Sequence, residues 1–295
     1  MKNLIILLFV ILLTYSSANS YAANARGYIA QPEGTSIIFA YYKYNTGDSL
    51  YSNGDKVSND LDFNSHVGII RPIYYAKIGE ALYGDGGFVI DPQVWLMFGD
   101  KDMDRPGVDL SSSGFMDPMV TATFWFVNAP KEKFWMGFTP MVYMPLGRYD
   151  KKKSFNVGEN RWTFKPELGL VKGFGDNFYC DFVINTAFYT DNNDFFNGTG
   201  KVEKSQDPLL GMETHLSYNF TPKWFVSLDY FYSNGGETEV GGFKQEDEQD
   251  NHALGISSFW KIGKNQLLMV EYVNRFAVEN GIGVDTFGLR WGCIF

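Results

Sequence analysis

The stretch T286FGLRWGCIF295 closes the chain and alternates large apolar residues with small or polar ones. Phe287, Leu289 and Trp291 fall on one side of this register, and Arg290 falls on the other. A repeat of two residues is the period of an extended strand, whose successive side chains point to opposite faces. The stretch therefore predicts a β-strand with one apolar face and one polar face.

The same alternation recurs along the chain and is clearest in F178YCDFVINTAFY189. Counting such stretches predicts an all-β protein of about twelve antiparallel strands, an even number, as single-chain bacterial barrels require. The predicted spans are 35 to 45, 61 to 76, 87 to 99, 115 to 128, 133 to 146, 160 to 173, 177 to 190, 207 to 220, 224 to 235, 251 to 262, 266 to 277 and 284 to 295.

The predicted connectors alternate in length, which supports the strand count. Short turns such as Ala129-Pro130-Lys131 and Gly263-Lys264-Asn265 alternate with long polar segments at 46 to 60, 100 to 114, 147 to 159, 191 to 206 and 236 to 250. Short turns at one end and long loops at the other are typical of transmembrane β-barrels.

Both ends of the chain indicate export to an outer membrane. Lys2 precedes an apolar stretch, and Ala23-Asn24-Ala25 matches a signal peptidase site, so we predict a signal peptide over 1–25 and a barrel domain over 26–295. The apolar stretch is too short for a membrane helix of about 20 residues. Phe295 on an amphipathic strand looks like the membrane-insertion signal of outer-membrane barrels. We therefore predict a transmembrane antiparallel β-barrel in the bacterial outer membrane.

The composition narrows the range of expected binding partners. The formal charge is −9 with a pI near 4.9, which disfavours nucleic-acid binding. A mean hydropathy of −0.19 fits a barrel, because polar residues facing the lumen cancel apolar residues facing lipid. The expected partners are outer-membrane lipid and lipopolysaccharide, the barrel assembly machinery and a small-molecule solute. No cofactor is expected.

Charged residues within the strands are expected to point into the barrel. An Arg or Lys on the lipid face near the midplane costs roughly 2 to 4 kcal/mol, so the alternation assigns strand charges to the lumen. The lumen candidates are Asp91, Asp117, Arg161, Lys165, Glu167, Asp181, Glu213, His215, Asp229, Glu271, Arg275 and Arg290. Arg71 is out of phase with Asp62 and His66, which suggests either a β-bulge or an error in the predicted strand.

Twelve strands spaced about 4.8 Å apart and tilted by about 40° give a backbone diameter of about 24 Å. Side chains then leave a bore of small-molecule size, and inward aromatics such as Trp95 and Tyr143 offer stacking surfaces. Other aromatics crowd the short-turn ends, among them Trp125 and Trp135, as in an interfacial girdle. The alternative is a barrel whose charged and aromatic side chains fill it and leave no path.

Catalytic and metal motifs are weak. Ser233-Asn234-Gly235 resembles part of the motif of outer-membrane phospholipases, but Phe231 stands where their His would be, so no base is evident. We expect no enzyme activity, and we interpret these three residues as the start of a loop. Asp191-Asn192-Asn193-Asp194 lacks the spacing of a calcium loop.

Several short segments resemble the family named for the meta-pathway of phenol degradation. They are SSSGFMDPMVTATFW at 111 to 125, VGENRW at 157 to 162, QDPL at 206 to 209, GGET at 235 to 238 and VENG at 278 to 281. The resemblance covers nearly the whole chain from about residue 30. Its family-like positions are Asp117 with Pro118, the segment Gly158 to Trp162, and Asp207 with Pro208.

This resemblance implies an outer-membrane transporter, and the family name implies no phenol chemistry by the barrel itself. Together with the strand pattern, it predicts passive uptake of small solutes, with aromatic or hydrophobic compounds as the favoured class. The competing hypothesis is a non-conducting barrel with a structural or surface-interaction role.

Overall fold

The computed structural model describes residues 24–295, so all of the predicted signal peptide except its last two residues lies outside the described residues. Within the described part, the chain forms strands separated by turns and loops. The strands are β1 (Ser36–Ser52), β2 (Asp55–Ser58), β3 (Asp62–Tyr74), β4 (Ala76–Gly79), β5 (Phe88–Arg105), β6 (Val108–Phe115), β7 (Met119–Ala129), β8 (Phe134–Tyr143), β9 (Thr163–Phe174), β10 (Phe178–Tyr189), β11 (Asn192–Phe196), β12 (Lys201–Gln206), β13 (Leu209–Thr221), β14 (Trp224–Gly235), β15 (Thr238–Val240), β16 (Phe243–Lys244), β17 (Gln249–Ile262), β18 (Gln266–Ala277) and β19 (Gly281–Ile294).

Twelve of these strands close into a single antiparallel barrel. The order runs β1, β3, β5, β7, β8, β9, β10, β13, β14, β17, β18 and β19. The last strand pairs with the first, from Ile37 opposite Ile294 to Tyr51 opposite Gly281. Closure leaves the barrel without an unpaired edge, so its backbone groups are satisfied within the wall. The predicted fold class and strand number are confirmed.

The two faces of each strand differ as the alternation predicted. In β10 the Phe182 side chain is exposed on the outer surface, whereas its neighbour Val183 is buried inside. In β19 Leu289 is likewise exposed, and Arg290 is buried. Because the strands of the barrel show this alternation, the barrel has an apolar outer belt and a mixed polar and aromatic interior.

Of the two explanations for the phase of Arg71, the β-bulge is wrong. The pairing of β3 with β1 runs without a register shift, and Arg71 points into the lumen, where it donates to Gln93 and Tyr41. His66 points outward instead, and its Nδ1 lies 2.7 Å from the Tyr42 hydroxyl on the outer surface. Arg71 is out of phase with His66 only if His66 is assigned to the interior, and that assignment rested on the polarity of His66.

The long connectors are more ordered than the sequence suggested. β1 and β5 extend beyond the predicted strands, and the segments around 192–206 and 238–244 pair into a separate four-stranded sheet, β11-β12-β15-β16. Ser233-Asn234-Gly235 continues β14 and is paired on both sides, so its interpretation as a loop is wrong. Residues that are polar enough for a loop also form strands when neighbouring connectors satisfy each other's backbone groups.

The predicted aromatic girdle is only partly correct. Trp125 and Trp135 are buried inside the barrel and do not face the membrane interface. The reason is parity: in a run of consecutive aromatics, every second ring must point inward. Residues 24–295 contain no helix long and apolar enough to cross a membrane.

Candidate functional site

The chain before β1 turns back into the barrel and fills the lumen near its short-turn end. We call residues 24 to 31 the lumen segment. β1 starts at this end, where Ser36 pairs with Phe295 through both backbone groups. Ala25 and Tyr28 are buried inside, which requires the surrounding wall to enclose them on all sides. The sequence did not predict this segment.

Tyr28 anchors the middle of the lumen segment. Its hydroxyl lies 2.8 Å from Thr139 Oγ1 and donates to Glu167 Oε1 at 2.9 Å. The indole Nε1 of Trp125 donates to the Tyr28 carbonyl at 2.7 Å. A Cβ at Gly169 would lie 2.1 Å from the Tyr28 ring, so only glycine leaves room for this ring. The wall and the segment are therefore complementary in shape and in hydrogen bonding.

Arg26 is the second anchor of the lumen segment. Its Nε donates to Ser217 Oγ at 2.9 Å and its Nη1 donates to Asn219 Oδ1 at 2.6 Å. Its backbone N–H donates to the Asp181 carboxylate. The guanidinium also stacks on the rings of Tyr179 and Phe225, at 4.1 and 3.9 Å from their centroids.

A cavity of about 300 Å³ lies between the lumen segment and the barrel wall. We call it the chamber. Its apolar surface comes from side chains of β1, β3, β5, β7, β8, β18 and β19. These are Ile37, Phe39, Ile73, Trp95, Met119, Met141, Leu267 and Ile294. Polar groups interrupt this surface at Gln93, Thr121, Thr123 and Thr139. A mostly apolar cavity with a few convergent polar groups is the usual form of a small-molecule site.

The charges that line the chamber are mostly positive. Arg26, Arg71, Lys261 and Arg290 contribute cations, whereas Glu167 is the one acidic residue in the lining. Arg71 lies 4.4 Å from the Trp95 ring centroid. Arg290 lies 4.8 Å from the Phe39 centroid, and its Nη1 donates to Asn24 Oδ1 at 2.8 Å.

A second buried cluster lies in the wall next to the lumen segment and is mainly acidic. His215 Nδ1 lies 2.8 Å from Asp229 Oδ1, and Ser227 donates to the same oxygen at 2.6 Å. Glu213 lies 3.6 Å from His215 Nε2. Because Ser227 donates to the carboxylate and not to the imidazole, this is no serine–histidine relay. The cluster braces β13 against β14.

Asp117 ties down the loop 147–159 at the long-loop end. Its Oδ1 accepts from the Gly147 N–H at 2.8 Å, and its Oδ2 accepts from the Glu159 N–H at 2.7 Å. Both ends of the loop are thus held by one carboxylate. Since both of its oxygens are engaged by backbone donors, the geometry of Asp117 is that of a brace.

Arg161 lies directly beneath the four-stranded sheet. Its guanidinium stacks 4.3 Å from the Tyr189 ring centroid, and its Nη2 donates to Gln206 Oε1 at 2.5 Å. Lys204 of β12 is buried nearby, and this burial lowers the pKa of its ammonium to about 8. Burial raises the pKa of Asp247, which accepts from the Thr238 N–H and hydroxyl. The long-loop end is therefore ordered and holds several buried polar groups.

Most of the predicted lumen candidates have buried side chains within the barrel or at its mouth. The buried ones are Asp91, Asp117, Arg161, Lys165, Glu167, Asp181, Glu213, His215, Asp229 and Arg290. Arg275 and Glu271 are half-buried, and Glu271 pairs with Lys43 at 3.2 Å. Arg26, Tyr28 and Trp125 were not predicted from the sequence to lie in the lumen. An Arg-Gly-Tyr tripeptide ahead of the first strand carries no periodic signal that would have revealed them.

The fold and its lumen define the class of the protein, an outer-membrane β-barrel of the channel type. A family model, described as the MetA-pathway of phenol degradation, matches residues 46–291. The chain therefore belongs to this family, which confirms the resemblance inferred from its short motifs.

Solved structures agree with this assignment. An outer membrane channel from Pseudomonas putida F1 shares 27% identity, with a TM-score of 0.86, over 93% of this chain and 100% of that chain. The transport unit of the autotransporter AIDA-I from Escherichia coli shares 8% identity and a TM-score of 0.52, over 98% and 96% of the two chains. The latter similarity is one of fold alone. No protein with a curated function matches the chain.

Proposed function

We propose that the protein is a passive channel that admits small solutes with an aromatic or otherwise hydrophobic body across the outer membrane. The chamber is the observation that carries this proposal. Its volume of about 300 Å³ suits a single-ring solute, and its apolar side chains and polar groups lie on opposing parts of the same surface. Such a lining favours amphipathic molecules over strongly hydrated ones.

Passage past the chamber requires the lumen segment to move. Its anchors are hydrogen bonds, among them those from Trp125 to Tyr28 and from Arg26 to Ser217 and Asn219, together with the stacking of Arg26 on two aromatic rings. Release also exposes the buried Tyr28 ring to water, so the segment is docked in most molecules and released only in a minor state. We infer that the channel conducts through this minor state.

Export and insertion follow the sequence signals in this proposal. A cleaved signal peptide over 1–25 directs secretion, and Phe295 serves as the signal for the barrel assembly machinery. Cleavage after Ala25 converts the Arg26 amide into an α-ammonium beside Asp181, which strengthens that contact. Lipopolysaccharide then surrounds the outer-leaflet part of the barrel. Catalysis plays no part in the proposal.

The filled lumen favours one competing function, a non-conducting barrel that serves envelope structure or surface contacts. In that case the lumen segment is a permanent core, and the four-stranded sheet is a surface for contacts outside the cell. The two functions differ in whether any solute crosses the wild-type barrel.

Liposome swelling separates the two functions. Proteoliposomes would hold either the mature wild-type protein or a variant lacking residues 26 to 31, and both would be tested with a series of solutes of increasing size. We expect slow swelling with the smallest solutes for wild type and faster swelling with a higher size limit for the deletion. A wild-type barrel that admits no solute, beside a deletion variant that does, would identify the non-conducting barrel. Heat-modifiable electrophoretic mobility would verify that both barrels are folded.

A further inference from the structure

The chamber carries a charge opposite to that of the protein. The chain has a formal charge of −9, yet the chamber is lined by four cationic side chains and one carboxylate. The carboxylate, on Glu167, is already engaged by Tyr28 at one oxygen and by Asn185 at the other. The cations therefore determine which charge the chamber accepts.

Two of these cations lack an acidic partner. Arg71 donates to the neutral oxygens of Gln93 and Tyr41, and Arg290 donates to the neutral amide of Asn24. Within residues 24–295 neither guanidinium forms an ion pair, and the Nε of Arg290 is buried without a hydrogen-bond partner. Asp91 lies near Arg71, but its two oxygens accept from Thr123 and Gln93.

Arg71 and Arg290 flank one aromatic ring at the chamber wall. The Phe39 centroid is 5.9 Å from the guanidinium carbon of Arg71 and 4.8 Å from that of Arg290. The Trp95 ring stacks on Tyr41 at 5.7 Å and supports Arg71 from beneath. Cationic donors thus sit at the edge of an aromatic and aliphatic surface. That arrangement matches a molecule with an anionic head and an apolar body.

We propose that the chamber binds a small organic carboxylate, with the carboxylate held by Arg71 and Arg290 and an aromatic or branched aliphatic body against Phe39, Ile73 and Trp95. This inference rests on the proposed channel function and specifies its solute class. The planar guanidinium group matches the geometry of a carboxylate. A buried cation that forms no ion pair carries a desolvation cost, and binding of an anion offsets that cost. If cleavage follows Ala25, Asn24 is removed and Arg290 loses its competing partner.

The test is calorimetric titration of the full mature protein in detergent with benzoate, and with benzyl alcohol as an uncharged analogue. The variants are Arg71→Gln and Arg290→Gln, with Arg148→Gln as the matched control. Arg148 also carries one positive charge but lies on the loop at the other end of the barrel. Single-channel conductance is recorded for the same preparations, and heat-modifiable mobility verifies their folding.

Benzoate is expected to bind the wild type and the Arg148→Gln variant equally and each chamber variant at least about tenfold more weakly, as the loss of a charge-assisted hydrogen bond implies. Benzyl alcohol should bind all four more weakly than wild type binds benzoate, and without regard to the variant. Equal benzoate affinity in the chamber variants, or preference for the alcohol, would overturn the carboxylate site. If conductance persists in that case, the proposed channel function stands. If the folded wild type shows neither benzoate binding nor conductance, both the carboxylate site and the channel function are contradicted.

Discussion

The two ends of the lumen are built in different ways. At the short-turn end, a single chain segment is inserted into the barrel and held by hydrogen bonds and ring stacking around Tyr28 and Arg26. At the long-loop end, a four-stranded sheet and the loop 147–159 form a continuous layer braced by Asp117. A segment tied at a few points can leave as a unit, whereas a paired sheet must break several bonds at once. In the proposed channel, the gate therefore lies at the short-turn end.

The largest effect is expected at the brace. Asp117→Ala removes the acceptor of two charge-assisted backbone bonds, each worth about 1.5–3 kcal/mol. Hydrogen exchange of the Gly147 and Glu159 amides should accelerate by at least tenfold, while the amides of residues 27–29 keep their rates. Accelerated exchange at both ends would show that the two ends are coupled and do not open independently.

The gate itself is tested by Gly169→Ala. The added Cβ would lie 2.1 Å from the Tyr28 ring, and overpacking of this kind costs about 1–3 kcal/mol. The open population and the single-channel conductance averaged over time should rise by about 5–150-fold. Gly68→Ala is the matched control, since its Cβ would meet no atom closer than 3.9 Å. Unchanged conductance in Gly169→Ala would mean that the lumen segment is not the gate.

A smaller effect is expected from Trp125→Phe, which removes the donor to the Tyr28 carbonyl and keeps an aromatic ring in place. Loss of this buried bond should weaken docking of the lumen segment by about 1–3 kcal/mol, toward the lower value because the segment can rehydrate. Hydrogen exchange of the Gly27 and Tyr28 amides would report it. Trp162→Phe, on an exposed ring, should leave these rates unchanged.

The smallest effect concerns the pH response of the four-stranded sheet. Burial lowers the pKa of Lys204 to about 8 from 10.5, so between these values the folded sheet has lost a proton that the unfolded chain retains. The stability of the sheet should therefore rise with pH across that window, by roughly 1 kcal/mol per pH unit. Exchange protection of β12, corrected for intrinsic rates, measures it. Lys204→Met should abolish the dependence, and an unchanged slope in that variant would assign it to another group.

The barrel was predictable because its signal is local and repeated. Every strand carries the period of two, so Phe182 and Asp181 could be assigned to opposite faces without knowledge of their neighbours. The alternation misled only where polarity or aromaticity was used in place of parity, as at His66 and Trp125. The four-stranded sheet was not predicted because its strands are short, polar and paired across two separate connectors.

For the candidate site, only the inward orientation of single residues was predictable from the sequence. Arg290 and Glu167 could be assigned to the interior, but nothing in the order of residues brings Arg71, Arg290 and Phe39 around one cavity. The lumen segment is the clearest case. Its contacts join Arg26 to residues about 190 positions away, across a closed surface that exists only after β19 has paired with β1.

A closed antiparallel barrel and its lipid-facing surface were predictable from the sequence, because alternation is a property of each strand alone, and the family was predictable from short motifs. The place where the lumen is filled and the set of cations that form no ion pair within residues 24–295 follow only from the tertiary structure. Those properties depend on distances across the barrel, and such distances are defined only once the wall has closed.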